Sequence, residues 1–267
     1  MKQKRINKKL IIGFTIFIIL IISVFLFPFF YKGDPNEIEL TEIEMPPSFS
    51  HILGTDELGR DVFLRTIIGG KISLAVGILG TTIKMVIALF FAFLASFSKK
   101  LDAIIMRIVD VLLCFPFYVF AFSLIAFFGT SIFHLIIIIA FFTFPPATRL
   151  IRTEILTIKN KEFIHICMIN GESNIKILLF SILPLLKKTI AVIFTTSVAQ
   201  VVLMESSLSF LGLGVQEPNV SWGSMLSVTL NIMNLSTKSY MWLPSAICII
   251  SLTFSVYLIG EGLNELT

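Results

Sequence analysis

Two charged side chains, Lys84 and Glu205, lie inside stretches of the sequence that are otherwise apolar. A charge at such a depth in a membrane costs roughly 3 kcal/mol or more, so it normally faces the interior of a helix bundle or a water-filled cavity. We therefore interpret both residues as candidates for a solute path. A direct ion pair between them is one hypothesis, and a packing role for Glu205, hydrogen-bonded to a neighbouring helix, is the alternative.

The side chains that most often bind metals are too scattered to form a site. No two cysteines have the C-x-x-C spacing of a zinc or redox motif, and the three histidines belong to separate segments of the chain. The residues concerned are Cys114, Cys167, Cys248, His51, His134 and His165. We predict no metal site, no disulfide framework and no catalytic residues.

A polar and charged interval, KEFIHICMINGESNIKILLFSILP (161–184), interrupts the second half of the chain. The helical spacing of its apolar residues, the stop signal Asn170-Gly171 and a restart after Ser173 predict two short helices joined by a tight turn. This interval is longer than a plain connection between two membrane spans needs to be. We call residues 161–184 the hairpin and expect it to lie outside the bilayer.

Composition places the chain in a membrane. Of its 267 residues, 56% are hydrophobic and only 14% are charged, whereas a soluble domain carries roughly 25% charged residues. The formal net charge of +4 comes from basic residues at the ends of apolar runs, not from a continuous basic stripe. We therefore predict a polytopic, all-α membrane protein that contacts the bilayer and binds no nucleic acid.

Six apolar runs are long enough to cross about 30 Å of hydrocarbon. They fall near residues 10–30, 74–97, 109–128, 131–148, 189–210 and 243–259. We interpret the first as an uncleaved transmembrane helix, because no small-residue cleavage site follows it. Pro116 is expected to kink the third span, and Pro145-Pro146 to break the fourth.

Lysine and arginine residues are concentrated on one side of these spans. The richer side holds Lys2, Lys4, Arg5, Lys8, Lys9, Lys99, Lys100, Arg107, Arg149, Arg152, Lys159, Lys161, Lys176, Lys187 and Lys188. The poorer side holds Lys32, Arg60, Arg65, Lys71 and Lys238, and it is acidic between Asp34 and Asp61. By the positive-inside rule, we predict that both termini and the hairpin are cytoplasmic.

The stretch between the first two spans has two parts. Residues 33–50 are acidic and contain three prolines, which predicts an extended outer loop. The following motif, HILGTDELGRD, contains an aspartate that can cap a helix, two glycines that allow turns or close backbone approach, and an Arg-Asp pair expected to contact neighbours. In that order, these residues are Asp56, Gly54 and Gly59, and Arg60 and Asp61.

Four stretches of the chain carry a resemblance to a known family. They are HILGTDELGRDVFLRTIIGGKISLAVG before the second span, IVDVLLCFP at the start of the third, ESSLSFLGLGVQEPNVSWGSML at the end of the fifth, and the hairpin. Together they cover most of the chain from His51 onward. They resemble the inner-membrane permeases of peptide and nickel ABC importers, most closely the C-type subunit, and the hairpin stands where this family has its cytoplasmic EAA loop.

The resemblance implies a bacterial cytoplasmic (inner) membrane protein with six transmembrane helices and several partners. These are a second permease subunit, two cytoplasmic ATPase subunits that bind ATP and Mg²⁺, and an extracytoplasmic substrate-binding protein. The chain itself is then not an enzyme and holds no cofactor. Its fragment nearest to the nucleotide-binding motif G-x-x-x-x-G-K-[ST], Gly69-Gly70-Lys71-Ile72, lacks the first glycine and the final hydroxyl.

On this resemblance, the hairpin couples the chain to the ATPases. A short helix docked in a groove transmits a rigid-body movement that a flexible loop would absorb. Where the family usually has Glu-Ala-Ala, this chain has His-Ile-Cys, so we expect a more apolar contact surface matched to its own partners. The candidate coupling residues are Glu162, Phe163, His165, Ile166, Cys167, Asn170, Gly171, Glu172 and Ser173.

The resemblance also favours a gate where the fifth span ends in SFLGLG (209–214). The glycines permit close helix approach or an irregular constriction, and tight packing is the alternative. The candidate gate residues are Ser209, Phe210, Leu211 and Gly212. Trp222, in the following loop, is interpreted as an anchor at the membrane interface.

The main hypothesis is an importer permease for peptides or for nickel and other metal chelates. An ion-coupled secondary transporter or channel would instead use Lys84 and Glu205 as its intramembrane charges, and a membrane scaffold would need neither. The hairpin favours the importer, because a secondary transporter has no use for an ATPase dock. We predict an N-terminal tail, first helix and outer segment (1–71), followed by a five-helix core (72–267) with a coupling loop at 149–188.

Overall fold

All regular structure is helical in residues 7–31 and 33–265, which are the residues that the computed structural model describes. In order, the α-helices of this part are α1 Lys8–Phe30, α2 Val62–Phe97, α3 Lys99–Cys114, α4 Phe117–Phe128, α5 Ile132–Lys159, α6 Glu162–Ile169, α7 Asn174–Lys176, α8 Leu183–Phe210, α9 Trp222–Leu226, α10 Ile232–Thr237 and α11 Ser239–Asn264. A π-helical segment, Ile177–Ile182, joins α7 to α8, and a 3-10 turn, Ser227–Leu230, follows α9. Lys2, Lys4, Arg5 and Lys32, which entered the orientation prediction, lie outside the described residues.

The six apolar runs of the sequence correspond to five continuous helical spans and one bent pair. Five helical stretches are long and apolar enough to cross a membrane, and α3 with α4 makes a sixth if the pair is counted as one crossing. The pair is bent by 85° around Pro116. Because proline lacks the N–H donor and its ring opposes helical continuation, the predicted kink is confirmed as a sharp break.

The predicted break in the fourth span is wrong, because α5 runs through Pro145 and Pro146 without interruption. Pro145 is buried, and the adjacent Phe144 packs with Ala88 and Ala92 of α2 in the main apolar core. Such packing against a neighbouring helix lets a membrane helix retain a proline whose own hydrogen bond is missing.

α2 starts twelve residues before the apolar run that predicted it, and its cap is not the expected one. The carboxylate of Asp61 accepts a 2.9 Å hydrogen bond from the backbone N–H of Leu64, which makes Asp61 the N-cap residue. Asp56 closes a turn instead, by accepting from the backbone N–H groups of Leu58 and Arg60 at 2.9 and 3.0 Å. The prediction that Asp56 caps a helix is therefore wrong, although the turn at Gly59 (φ +76°) is confirmed.

The bundle has two distinct ends. At one end, the α1–α2 connection (33–61) contacts the α8–α11 connection (211–238), for example where Asn234 Nδ2 donates to Glu57 Oε1 at 2.9 Å. At the other end, α2 and α5 finish side by side, and Lys159 Nζ donates to the carbonyl oxygen of Ser96 at 2.7 Å. The hairpin follows α5, so it lies at the end opposite to the two connections.

The predicted turn of the hairpin is confirmed, but its second arm differs from the prediction. Gly171 has a φ of +76°, and the Ser173 side chain caps the next helix by accepting from the backbone N–H of Lys176. That helix is not a separate short arm, because it continues through the π-helical segment into α8 and gives one stretch over Asn174–Phe210. The π-helical turn precedes Pro184, which has no N–H for the regular helical pattern.

Candidate functional site

One exposed face of α8 carries an amide and two hydroxyls, although it lies within an apolar span. Its members recur at helical spacing and are Thr196, Gln200, Leu203, Ser207 and Leu211, all exposed except the half-buried Ser207. We call them the α8 stripe. The hydroxyls of Thr196 and Ser207 donate to backbone oxygens one turn earlier on the same helix, at 2.9 and 2.8 Å. The exposed amide of Gln200 makes no such hydrogen bond to its own helix backbone, and contact with lipid would be energetically costly for it. We therefore expect water, a solute or another subunit next to the stripe.

A cleft of about 600 Å³ opens along the part of the stripe nearest the connections. Its walls come from Leu203, Ser207 and Phe210 of α8, Leu211 directly after α8, Tyr118 of α4, and Trp242, Ala246 and Ile249 of α11, among others. The lining contains no charged residue. Two of the four candidate gate residues, Phe210 and Leu211, thus border a cleft at the exposed face.

Lys84 is buried in α2 behind the stripe. Its side chain belongs to a residue only 2% exposed, and Nζ donates a 2.9 Å hydrogen bond to Gln200 Oε1. Gln200 was not among the candidate residues drawn from the sequence. The signal that could have revealed it is a polar residue in an apolar run, one helical turn from Thr196 and two from Ser207.

Glu205 is fully buried and faces α2. Its carboxylate accepts hydrogen bonds from the hydroxyls of Ser209 at 2.7 Å, Ser73 of α2 at 3.2 Å and Ser206 at 3.4 Å. These partners compensate the loss of water around the carboxylate. The packing alternative, in which a neighbouring helix hydrogen-bonds Glu205, describes this arrangement.

Lys84 and Glu205 do not form an ion pair within the part of the chain that the structure describes. Ser73, which contacts Glu205, and Lys84 are eleven residues apart on α2, which is about 16 Å along the helix axis. Each charge also has its own partners on α8. The hypothesis of a direct pair is therefore wrong, because the two antiparallel helices place the charges at different depths.

Two of the serines that bind Glu205 also hold the chain that leaves α8. Ser209 Oγ accepts from the backbone N–H of Val215 at 3.0 Å, and Ser73 Oγ accepts from the backbone N–H of Trp222 at 3.1 Å. Each hydroxyl thus links a backbone donor of the α8–α11 connection to the buried carboxylate. The connection is therefore held at two points, Val215 and Trp222, through serines that both bind the carboxylate of Glu205.

Trp222 is not exposed on the outer surface of the bundle. Its side chain is fully buried, and the indole Nε1–H donates to the carbonyl oxygen of Thr66 at 2.8 Å. The interpretation of Trp222 as an interface anchor is wrong, because the connection folds back into the bundle and brings α9 against α2 and α8.

A cavity of about 570 Å³ lies between the two connections and is lined by both acidic and basic side chains. Arg65, whose side chain is 5% exposed, donates to Glu217 Oε1 at 2.9 Å, and Arg60 approaches the same oxygen at 3.0 Å. Arg60 Nε also donates to Asp56 Oδ2 at 2.8 Å. The expectation that Arg60 pairs with neighbours is confirmed, and its partners join the connections to each other. Gly212, a candidate gate residue, also lines this cavity.

His51 bridges two carboxylates in the α1–α2 connection. Nδ1 lies 2.9 Å from Asp61 Oδ2, and Nε2 lies 2.7 Å from Glu42 Oε2. The hydrogen bond to Asp61, with a smaller contribution from Glu42, raises the pKa of His51 above its ordinary value, although burial acts in the opposite direction. Asp61 also accepts from the Tyr31 hydroxyl at 3.1 Å, so its expected pairing with neighbours is confirmed.

The hairpin packs by one side and exposes another. Ile164 of α6 is fully buried and joins Ile155, Ile158 and Ile177 in an apolar cluster. The exposed side carries Glu162, Phe163, His165, Ile166, Ile169, Asn170, Gly171 and Ser173, while Cys167 and Glu172 are half-buried. Ile169 is 84% exposed and Ile166 57% exposed, which leaves an apolar surface at the tip.

Comparison with known proteins identifies relatives across almost the whole chain. Residues 84–265 match the family model described as the binding-protein-dependent transport system inner membrane component. The chain is 33% identical to the oligopeptide transport system permease protein OppC of Haemophilus influenzae, over 97% of this chain and 84% of that protein. It is 30% identical to OppC of Bacillus subtilis, over 99% and 87%, and 35% identical to the glutathione transport system permease protein GsiD of Escherichia coli, over 94% and 83%.

Proposed function

The chain belongs to the family of inner membrane components of binding-protein-dependent transport systems, and we propose that within an ATP-binding-cassette importer it forms part of the path for peptides. Its relatives are permease components of such importers, and this chain is likewise an inner-membrane permease subunit. The names of these relatives refer to oligopeptides and glutathione, which share amide groups and terminal carboxylates. That chemistry favours a peptide over a nickel chelate as the substrate.

The observation that carries this proposal is the α8 stripe. Apolar side chains predominate on the exposed faces of the other spans, such as Ile11, Ile18 and Phe25 on α1 or Ile247 and Ile250 on α11. The stripe instead presents an amide and two hydroxyls along a single helix face. We assign this face to the translocation path, with a second permease subunit completing it. The gate is assigned to Phe210, Leu211, Gly212 and the cleft beside them, with Ser209 fixing the backbone.

We assign the hairpin to the coupling surface for two cytoplasmic ATPase subunits, which would bind ATP and Mg²⁺. Its exposed apolar tip supports this assignment, because the free energy falls when a partner covers a water-exposed apolar side chain such as Ile169. The backbone N–H groups of Gly171 and Glu172 donate to the carbonyl oxygens of Met168 and Cys167. These hydrogen bonds favour the rigid turn that transmission of a movement requires. Both termini are then cytoplasmic, and the chain crosses six times with α3 and α4 as one bent span.

The opposite end of the bundle, formed by the two connections, is assigned to the extracytoplasmic face and to the substrate-binding protein. Acidic residues at this end, including Glu37, Glu39 and Glu57, are exposed and offer charges to such a partner. We retain the division into an N-terminal unit (1–71) and a five-helix core (72–267) as part of this proposal. The ion-coupled transporter alternative is not supported by the relatives.

Uptake by a strain that lacks only this chain tests the proposed substrate class. A labelled tripeptide and radioactive nickel are supplied separately, and the chain is then restored from a plasmid. Restoration is expected to recover tripeptide uptake and to leave nickel uptake unchanged. Recovery of nickel uptake without tripeptide uptake would contradict a peptide path.

A further inference from the structure

The amide of Gln200 is held in one orientation by the buried Lys84. A protonated amine has hydrogen-bond donors and no acceptor, so the 2.9 Å contact must be made by the amide oxygen of Gln200. The amide nitrogen, with its two N–H groups, is then directed away from the lysine. Within residues 7–31 and 33–265, no acceptor is bound to that nitrogen. Gln200 is exposed and belongs to the α8 stripe, so these two donors are available at the surface of the stripe.

The positive charge behind Gln200 has no anionic partner in the described part of the chain. Lys84 forms no ion pair there, and the nearest intramembrane carboxylate along α8, Glu205, is occupied by three serine hydroxyls. An ammonium that is buried with a single neutral acceptor is poorly compensated for its lost hydration. An anion placed next to Gln200 would supply that compensation.

The position of Gln200 suits a contact made during passage. Gln200 lies ten residues before Phe210 on α8, or about 15 Å along the helix, which is about half the thickness of the hydrocarbon core. A solute that reaches this depth has left bulk water. A directed donor backed by a positive charge is therefore worth more there than at the surface.

We propose that Lys84 and Gln200 together form a carboxylate-binding site in the translocation path, with Gln200 as the contact and Lys84 as the positioning residue. The ligand is a carboxylate carried by the transported solute, such as the C-terminal group of a short peptide. This inference rests on the proposed function, because it places the α8 stripe in the path. It adds a charge preference that the path itself imposes, independent of the binding protein.

The test compares two forms of one labelled tripeptide, with a free C-terminal carboxylate and with a C-terminal amide, in cells that contain the complete transport system. The ratio of the two uptake rates is measured for wild type and variants with the same binding protein, so that its own preference cancels. Lys84→Met is expected to lower uptake of the free acid by about tenfold, because the Gln200 amide loses the group that orients it and the positive charge behind it. Uptake of the amidated peptide is expected to stay unchanged. Gln200→Glu is expected to act in the same direction, because a carboxylate there pairs with Lys84 and repels the ligand.

A matched control is Lys71→Met, which removes another lysine of the same helix and is expected to leave the ratio unchanged. Because Gln200→Glu keeps Lys84 paired, it tests the site even if Lys84→Met reduces the amount of folded protein. A ratio that stays at the wild-type value in both variants, or an equal loss of both peptides, would overturn the inference. If wild type takes up neither peptide, the proposed function fails instead.

Discussion

Glu205 and Ser209 lie one turn apart on α8 and share a hydrogen bond of 2.7 Å, although the helix leads directly into an irregular connection. The Ser209 hydroxyl oxygen also accepts a hydrogen bond from the backbone N–H of Val215. Glu205, which the sequence predicts to be a charge of the solute path, thus holds the segment beside the proposed gate in place. We call the hydrogen bonds from Val215 to Ser209 and from Ser209 to Glu205 the relay. If that segment moves, the relay must either break or move with it.

Replacing Glu205 by alanine is expected to destabilise the protein and to loosen the connection. The change leaves the hydroxyls of Ser73 and Ser209 without their acceptor in a buried place, at a cost of about 3 kcal/mol. Thermal unfolding in detergent measures the loss. Hydrogen exchange at 211–226 is expected to rise at Val215 and Trp222.

Ser207→Ala is the matched control, since that hydroxyl lies on the same helix and bonds only its own backbone. It is expected to change stability by no more than about 0.5 kcal/mol. Equal exchange at Val215 and Trp222 in Glu205→Ala and wild type would show that the relay does not hold the loop.

A side chain at Gly171 is expected to reduce coupling more than it reduces stability. Gly171 has a φ of +76°, and a Cβ there would meet nothing within 4 Å, so Gly171→Ala adds only backbone strain of about 1 kcal/mol. The strain changes the turn between α6 and α7 and hence the presentation of α6. We expect less peptide imported per ATP hydrolysed.

Gly129 gives the control for that prediction. It has a φ of +83° and equally open surroundings, but it ends α4 away from the hairpin. Its ψ of 164° belongs to a region that glycine alone adopts readily, so Gly129→Ala is expected to carry at least as much strain as Gly171→Ala. The ratio of import to hydrolysis is nevertheless expected to stay unchanged. The same loss in both variants would assign the effect to strain in general.

The divergent motif of the hairpin is expected to be matched to its own partners. The double change His165→Glu and Ile166→Ala restores the acidic and small residues that the family usually has. It also removes apolar surface, because the Ile166 side chain is 57% exposed. Import is therefore expected not to rise. A higher rate in the double variant would indicate that the divergence weakens the contact.

The stability of the α1–α2 connection is expected to fall as the pH rises above about 6.5, the ordinary pKa of histidine. Because Asp61 and Glu42 raise the pKa of His51 in the folded state, protonation favours folding. This contribution is complete below the ordinary pKa and is lost as the pH passes the raised one. Glu39, near Glu42, and Tyr31, at Asp61, are the other titratable groups in this cluster.

Thermal unfolding at pH 6 and pH 8.5 checks the His51 prediction. Wild type is expected to lose stability between the two values, and His51→Gln is expected to lose less. The same difference in both proteins would place the pH dependence elsewhere.

Local patterns predicted the spans and the hairpin turn, because hydropathy and helical spacing act over a few residues. Asn170-Gly171 and Ser173 stop and restart a helix through their own backbone and side-chain geometry. Pro116 breaks a helix as predicted, whereas Pro145 does not. The helix continues through Pro145 because the residues around it pack against α2. Local sequence contains no information on that surface.

The partners of the charged residues could not be predicted for the same reason. Ser73 and Glu205 are 132 residues apart in sequence, and only the antiparallel contact of α2 with α8 joins them. Asp56 and Asp61 are equally good capping residues in type, and the fold of the connection decides between them. The sequence shows Gln200 as a polar residue in an apolar run, but its exposure and its contact with Lys84 follow from the packing of α2 against α8.

The proposed role of this chain is that of one permease subunit in an ATP-driven peptide importer. The most direct measurement is uptake of a labelled peptide into vesicles that contain the chain isolated with its natural partners, driven either by ATP or by a proton gradient. We expect two ATPase subunits to be isolated with the chain and uptake to require ATP. Uptake on a proton gradient alone, by a preparation without any nucleotide-binding subunit, would show that the chain is an ion-coupled transporter and not part of an ATP-driven importer.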